Sequence, residues 1–525
     1  MLRFAPFRTT TAVLAFLPAT WAHADVTAQD VWTNLQAYGA AVGGTLSAEL
    51  VDTADGPTLT NLTYGLALDM PATEAGDSPT PLFDATVTLP DMALQNRADG
   101  TVTIAYPDTT TQTISVTMAE GTAFEIPFAM ETKGFIATAS GMPGDITYDY
   151  SATEMAYSSV FAVPSEFAAA FDGATDFDMQ INYKDVLGKV TITEGDLIKI
   201  RSDARIGKTH TLTKTGHASD SPAKATSDNS TTGQHITGTM DLPASGITFF
   251  DMSQALRAGL NFAMTLRSES FAQTETVAMG EDLISETQLT SGPENIDMTV
   301  NTAGLLMDAT ASDTSLSVSM PAAMPVPMRF EANEVSIGLR VPLLTSDAPS
   351  GFAFKTQFKD VTVGDEIWGM FDPNSQLPRD PAQLAIDLSG TLIHKVEWLN
   401  FLAVPDAIDA LTSLPVEPHD LLINALSIDA AGAKASAKGA LTFDLSDLQT
   451  YDGMPRPDGQ ISVDVQGLNG LLDALIAIGL LPENQAMGVR MMLGGFAKSV
   501  GEDHLTSTIE MTPSGQILAN GQRLK

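Results

Sequence analysis

No cysteine occurs among the 525 residues. A chain of this length therefore holds itself together by burial and backbone pairing, and disulfides, thiolate metal sites and cysteine nucleophiles are excluded. Basic residues are scarce as well: 27 Lys and Arg face 64 Asp and Glu, a formal charge of −37. A surface that acidic repels phosphate backbones and anionic headgroups, so nucleic acid is excluded as a partner and electrostatic docking to a membrane is disfavoured. Long apolar runs are missing too. Beyond residue 24 the nearest approach lies over residues 468–496, where Asp473, Glu483, Arg490 and several glycines break the apolar pattern into pieces too short to cross a bilayer. The mature chain is accordingly expected to have no transmembrane segment.

What is present begins with a leader. Arg3 and Arg8 precede a mainly apolar stretch over residues 11–19, and Ala22-His23-Ala24 forms a small-x-small cleavage site ahead of Asp25. Residues 1–24 read as a secretory signal peptide, which predicts a periplasmic or, alternatively, extracellular protein. A helix follows: Thr27 is an N-cap with Asp30 three residues on, Val31, Leu35 and Tyr38 form one face, and Gly43-Gly44 ends it.

From Leu46 the apolar period changes to two. Leu62, Tyr64, Leu66 and Leu68 alternate with polar or small residues, as do Val102, Ile104 and Tyr106, and then Ile114, Val116 and Met118. Turn signals such as Ala98-Asp99-Gly100 and Met142-Pro143-Gly144 separate these runs at short spacing, which favours antiparallel hairpins over helical crossovers. Phe177, Met179, Ile181 and Tyr183 continue the pattern, and a turn at Leu187-Gly188 with Val190 and Ile192 beyond it predicts a further hairpin. Residues 216–234 are small and polar without any period. They read as a flexible linker or loop dividing an N-terminal helix plus β-rich region, 25–215, from a second β-rich region, 235–525. In the second region a short helix is predicted over 253–264, Val335, Ile337, Leu339 and Val341 give a clean strand, and 398–414 is helix-prone. Near the end, Leu468, Leu471, Leu472, Leu475 and Ile476 recur at helical spacing, Gly479 and Pro482 interrupt them, and a second helix over about 484–498 carries Met487, Met491, Met492 and Phe496. The fold expected from these signals is mainly β. It is a long antiparallel meander forming one or two curved sheets, with an N-terminal helix and a C-terminal apolar helical hairpin.

The exported acidic start ending in Gly-Gly, the segment Phe371-Asp372-Pro373 to Leu377-Pro378-Arg379-Asp380-Pro381, and the ending Thr512-Pro513-Ser514-Gly515 to Asn520-Gly521-Gln522 resemble an uncharacterised family of exported Gram-negative proteins, catalogued only as a domain of unknown function. The resemblance implies an envelope setting and a β-rich fold, and brings no catalytic residue, cofactor or substrate. A more distant likeness, of architecture alone, is to envelope proteins whose long curled sheets carry lipid in an apolar groove.

No motif names a chemistry. His210, His217, His235, His394, His419 and His504 include no His-Glu-x-x-His pair, and the first three read as solvated loop residues. Gly207-Lys208-Thr209 lacks the glycine-rich loop of a phosphate cradle, and Ser221 and Lys224, at the spacing of a Ser/Lys nucleophile pair, fall in the expected linker. Asp372, Asn374 and Asp380, or Asp444, Asp447 and Asp452, offer oxygens to calcium but miss the EF-hand spacing, and turn formation with N-capping accounts for the first set. No catalytic set, metal site or cofactor is predicted. The expected function is that of a non-enzymatic envelope protein binding a lipid-like or other apolar ligand, or an envelope protein partner. The alternatives are an acidic interaction scaffold without ligand and a hydrolase with an unrecognised site. The candidate ligand or packing face is the hairpin's: Leu472, Leu475, Ile476, Met487, Met491, Met492 and Phe496.

Overall fold

β-branched and hydroxylated residues alternating with apolar ones make extended backbone the economical choice through most of the chain, and each strand finds a partner in the next. The computed structural model describes residues 25–524 except 55, 71–79, 119–120, 166, 168–170, 172, 218–222, 325, 402, 410 and 412–413. The expected signal peptide, 1–24, lies outside the described residues. The protein is mainly β, a single antiparallel sheet of 27 strands with six helices among the described residues.

Helix α1 (Ala28–Ala41) opens it, capped reciprocally: the Thr27 hydroxyl accepts from the Asp30 N–H at 3.2 Å, and the Asp30 carboxylate from the Thr27 N–H at 2.9 Å. Nine strands follow: β1 (Thr45–Thr53), β2 (Gly56–Met70), β3 (Thr80–Thr88), β4 (Met92–Asn96), β5 (Val102–Ala105), β6 (Thr109–Met118), β7 (Ala123–Lys133), β8 (Ile136–Met142) and β9 (Asp145–Ala162). Three long strands come next, β10 (Ala174–Thr193), β11 (Leu197–His217) and β12 (Ala223–Pro243), then α2 (Met252–Arg257). The sheet continues with β13 (Asn261–Ser268), β14 (Ser270–Met279), β15 (Asp282–Ser291), β16 (Glu294–Asn301), β17 (Gly304–Ser319), β18 (Met328–Val341) and β19 (Ser350–Val363). After α3 (Asp365–Phe371), β20 (Ala382–His394) and α4 (Val404–Asp409) come β21 (Val416–Ala430), β22 (Ala433–Asp444) and β23 (Arg456–Gln466). The hairpin α5 (Leu468–Ala477) and α6 (Glu483–Phe496) precedes β24 (Lys498–Gly501), β25 (His504–Met511), β26 (Ile517–Ala519) and β27 (Gln522–Arg523).

Where strands are short, two lie end to end against one long neighbour. β7 and β8 share β9, β13 and β14 share β12, and β15 and β16 share β17. β2 is likewise shared by β3 and β4, whose branches β3–β6–β7 and β4–β5–β8 meet at β9, and β25 takes β24 and β26 on one edge. Among the described strands β1, β24 and β27 each have one neighbour, so the sheet is open.

A crease runs across the middle of this sheet. On β10 the apolar alternation Phe177, Met179, Ile181, Tyr183 slips by one residue at Asp185, which sits in the left-handed region at φ 54°, and resumes at Val186, Val190 and Ile192. β12 slips at Gly233 (φ 58°), β17 at Asp313 (φ 48°) and β19 at Asp360 (φ 52°). Register is unchanged across the slip: Lys184 pairs with Lys208 and Val186 with Ile206, so neighbouring strands slip at the same level. Asp and Asn tolerate this conformation because their short polar side chains can bond locally, and Asp360 also accepts from Asn333 of the facing strand at 3.0 Å.

On one side of the crease the sheet is closed by helices. Ile146, Ile192, Ile198 and Leu242 are buried beneath Val31 and Trp32 of α1 and Leu256 of α2. Asn34, fully buried, accepts from the Tyr148 hydroxyl at 2.9 Å and donates to Glu194 at 2.7 Å, tying α1 to β9 and to the turn after β10.

Four local expectations are corrected. Within the expected linker 216–217 end β11 and 223–234 are strand, 223–232 paired on both sides by β11 and β14, because neighbouring strands satisfy their backbone whatever the polarity of their side chains; 218–222 lie outside the described residues. The sheet is thus continuous where a boundary between two regions was expected. The supposed hairpin at Leu187-Gly188 is unbroken β10, and the change of period there is the crease. Helix α2 stops at Arg257, and among the described residues of the helix-prone stretch 398–414 the helix is Val404–Asp409.

Candidate functional site

The face on which α1 packs is apolar over most of the sheet. Cross-strand partners share a face, so the pairings Tyr64–Val87, Val87–Ile114 and Ile114–Ile126 trace one row across β2, β3, β6 and β7. Far along the sheet, Phe358–Leu384, Leu384–Ile428 and Ile428–Ala435 trace another across β19 to β22. The opposite face carries ion pairs across its strands, Lys359–Glu334 (2.7 Å), Lys189–Asp149 (3.3 Å) and Lys133–Glu154 (2.8 Å), whereas on the apolar face Glu294 and Glu331 border the third of its hollows.

Four hollows open on the apolar face. The first, about 440 Å³, lies beside α1 between Trp32, Leu35, Leu62, Tyr64, Val87 and Leu89. The second, about 430 Å³, is lined by Ile114, Ile126, Phe128, Tyr157, Phe177 and Ile181. At its end Phe161 meets Phe124 edge-on at 5.5 Å and Phe177 at 5.3 Å. The third, about 520 Å³, is formed by Phe271, Leu289, Leu316, Phe330, Val335 and Phe358, and the fourth, about 320 Å³, by Leu384, Ile386, Leu426, Ile428 and Val463. Small-molecule sites run from about 300 to 1,000 Å³ and are lined mainly by apolar side chains, so each hollow is of ligand size. Phe171, from the segment after β9, packs on Phe161 and Phe177 at one end of the second hollow, whereas Ile181, Leu289, Leu316 and Phe330 are only half-buried, so the apolar surface stays partly open. Burial pushes the Tyr157 phenol above its ordinary pKa, with Tyr183 adding to the effect, so the second hollow holds no charge from it at neutral pH.

No protein family, curated protein or solved structure matches this chain. The site rests on its own geometry.

The residues singled out from sequence lie elsewhere. In the C-terminal hairpin Leu472 is 6% exposed and Leu475 and Ile476 half-buried, whereas Met487, Met491 and Met492 are 56%, 70% and 58% exposed and Phe496 is exposed as well. None of the seven lines the four hollows. The hairpin is anchored through its first turn: Asp503 accepts from the N–H groups of Asn469 (2.9 Å) and Gly470 (3.0 Å), and Arg490 bridges to Asp473 at 2.7 Å. The face residues that matter most, on β10, β17 and β18, were visible in sequence only as ordinary strand alternation.

The carboxylate clusters are occupied internally. Asp372, buried, accepts from Gln376 (2.8 Å) and Leu377 (2.9 Å) N–H groups; burial would raise its pKa, but these bonds and Arg379 hold it below the usual carboxylate value. Arg379 lies over the Trp368 ring at 5.2 Å. Asp444 and Asp447 converge on Arg456. No grouping of three metal-ligating side chains occurs among the described residues. His210 pairs with Asp228 at 2.8 Å and His235 with Asp203 at 3.1 Å, as separate surface pairs. Ser221 lies outside the described residues. No helix among them is long and apolar enough to cross a membrane.

Proposed function

We propose that this is an exported, non-enzymatic envelope protein of the uncharacterised Gram-negative family it resembles, carrying a lipid-like ligand on the apolar face of its sheet. The observation that carries the reading is that face: four hollows of about 320–520 Å³ on one surface, lined by half-buried apolar side chains. An apolar surface of this extent on an otherwise acidic protein is a binding surface by default. The reading of residues 1–24 as a leader supports a periplasmic setting. In this reading α1 is a fixed plug at the closed side of the crease, and the C-terminal hairpin is a cap at the far end of the sheet. A second reading, docking of another envelope protein, is favoured by the exposed Leu480, Met487, Met491 and Met492 of that hairpin.

Binding of a fluorescent fatty-acid analogue tests the main reading. Ile181→Asp and Leu316→Asp each place a charge on a half-buried position of the face without touching the closed core, and are expected to weaken binding at least tenfold while circular dichroism stays unchanged. Undiminished binding in both variants would sink the assignment to this face.

A further inference from the structure

On the open side of the crease the apolar face is interrupted once, in its middle. One row runs from Met130 to Tyr157 to Ile181, all apolar or aromatic, and on the far side from Leu289 to Leu316 to Phe330. Between these segments, in unbroken register, lie Thr211, Asn229 and Gln273. The parallel row beside it substitutes Thr213 and Ser227 at the same strands, followed by the exposed Glu275. The band therefore covers β11, β12 and β14, two interstrand spacings or about 10 Å. Across the crease the row Ile200, Met240, Phe262 and Val300 is apolar throughout, and the row beside it carries a single polar side chain, Ser202, whose hydroxyl bonds to the Gly238 carbonyl at 3.4 Å.

Polar side chains in such a place are a liability unless something meets them. Asn229 donates to Ser227 at 3.1 Å, but its carbonyl oxygen is buried and accepts nothing, and the Thr314 hydroxyl at the edge of the third hollow is likewise buried and unpartnered. The band separates the second hollow, about 430 Å³, from the third, about 520 Å³. We infer that the ligand is a neutral two-chain amphiphile whose polar linkage lies on the Thr211–Asn229–Gln273 band, with one acyl chain in each flanking hollow. The threonine hydroxyls and the Gln273 amide donate to ester carbonyls, and the Asn229 carbonyl accepts from a hydroxyl. Glu275 and the acidic surface disfavour an anionic headgroup. This rests on the reading that the face binds lipid, and adds the class and the orientation.

Native mass spectrometry of the delipidated protein with dioleoylglycerol, oleate or dioleoylphosphatidylglycerol tests it. One dioleoylglycerol per chain is expected, bound at least tenfold more tightly than oleate or the anionic lipid. Asn229→Leu combined with Thr211→Val should weaken dioleoylglycerol at least fivefold and leave oleate within twofold; Gln273→Leu alone should act in the same direction, and serves if the double variant does not fold. Equal affinity for oleate and dioleoylglycerol, tight binding of the anionic lipid, or full retention of the dioleoylglycerol preference in folded variants would overturn the inference. Failure of all three lipids to bind would instead overturn the reading of the face itself.

Discussion

His394, at the end of β20, is buried with both ring nitrogens lacking a hydrogen-bond partner, and burial holds its pKa below the ordinary value of 6.5. The folded protein keeps the ring neutral while the unfolded chain takes up a proton near 6.5, so this group's contribution is whole above that pH and is lost as pH falls from there through the depressed folded value. His394→Leu is expected to flatten the fall in melting temperature between neutral pH and about pH 5, read as a difference from the unsubstituted protein so that the carboxylates cancel. An identical slope in the two proteins would contradict the assignment. Asn34 makes a second residue-scale case. Replacing it with Ala strands the Tyr148 hydroxyl beneath α1 and is expected to cost about 1–3 kcal/mol in urea denaturation.

At the scale of elements, the alternation of apolar and polar residues made the strands legible, and with them the antiparallel meander. Other features left no periodic signature. The crease depends on single residues at positive φ, and an Asp such as Asp185 or Asp313 in a strand reads as one more polar outward position. Asp313→Gly should therefore be tolerated, whereas Asp313→Val should destabilise by roughly 1–2 kcal/mol; equal stability in urea would remove the conformational role given to Asp313. Residues 223–234 were misread for a related reason: a strand whose exposed and inner positions are both Thr, Ser or Asn has no apolar period to detect, and its pairing comes from β11 and β14. The α5–α6 hairpin drew attention because methionines at helical spacing suggest packing, but spacing does not say which face meets the sheet, and Met491 is 70% exposed. Met491→Ser is expected to change stability by less than about 0.5 kcal/mol and to leave fatty-acid binding unaltered; a larger loss of either would bring the hairpin back into the site.

At the scale of the whole molecule, charge, apolar surface and helices are distributed unevenly over the two faces of the sheet. The acidic charge lies over a surface whose ion pairs sit on one face of the sheet, the apolar residues gather on the other, and helices cover only part of the latter. A sheet so divided buries a core on one side of its crease and leaves a ligand-sized apolar strip on the other. The most direct test is mass spectrometry of the organic extract of the protein purified from cells without detergent. The account predicts a two-chain neutral lipid in the extract at about one per chain, consistent with a polar linkage held between two apolar hollows. An extract free of any amphiphile, from protein that is folded and monodisperse, would contradict it.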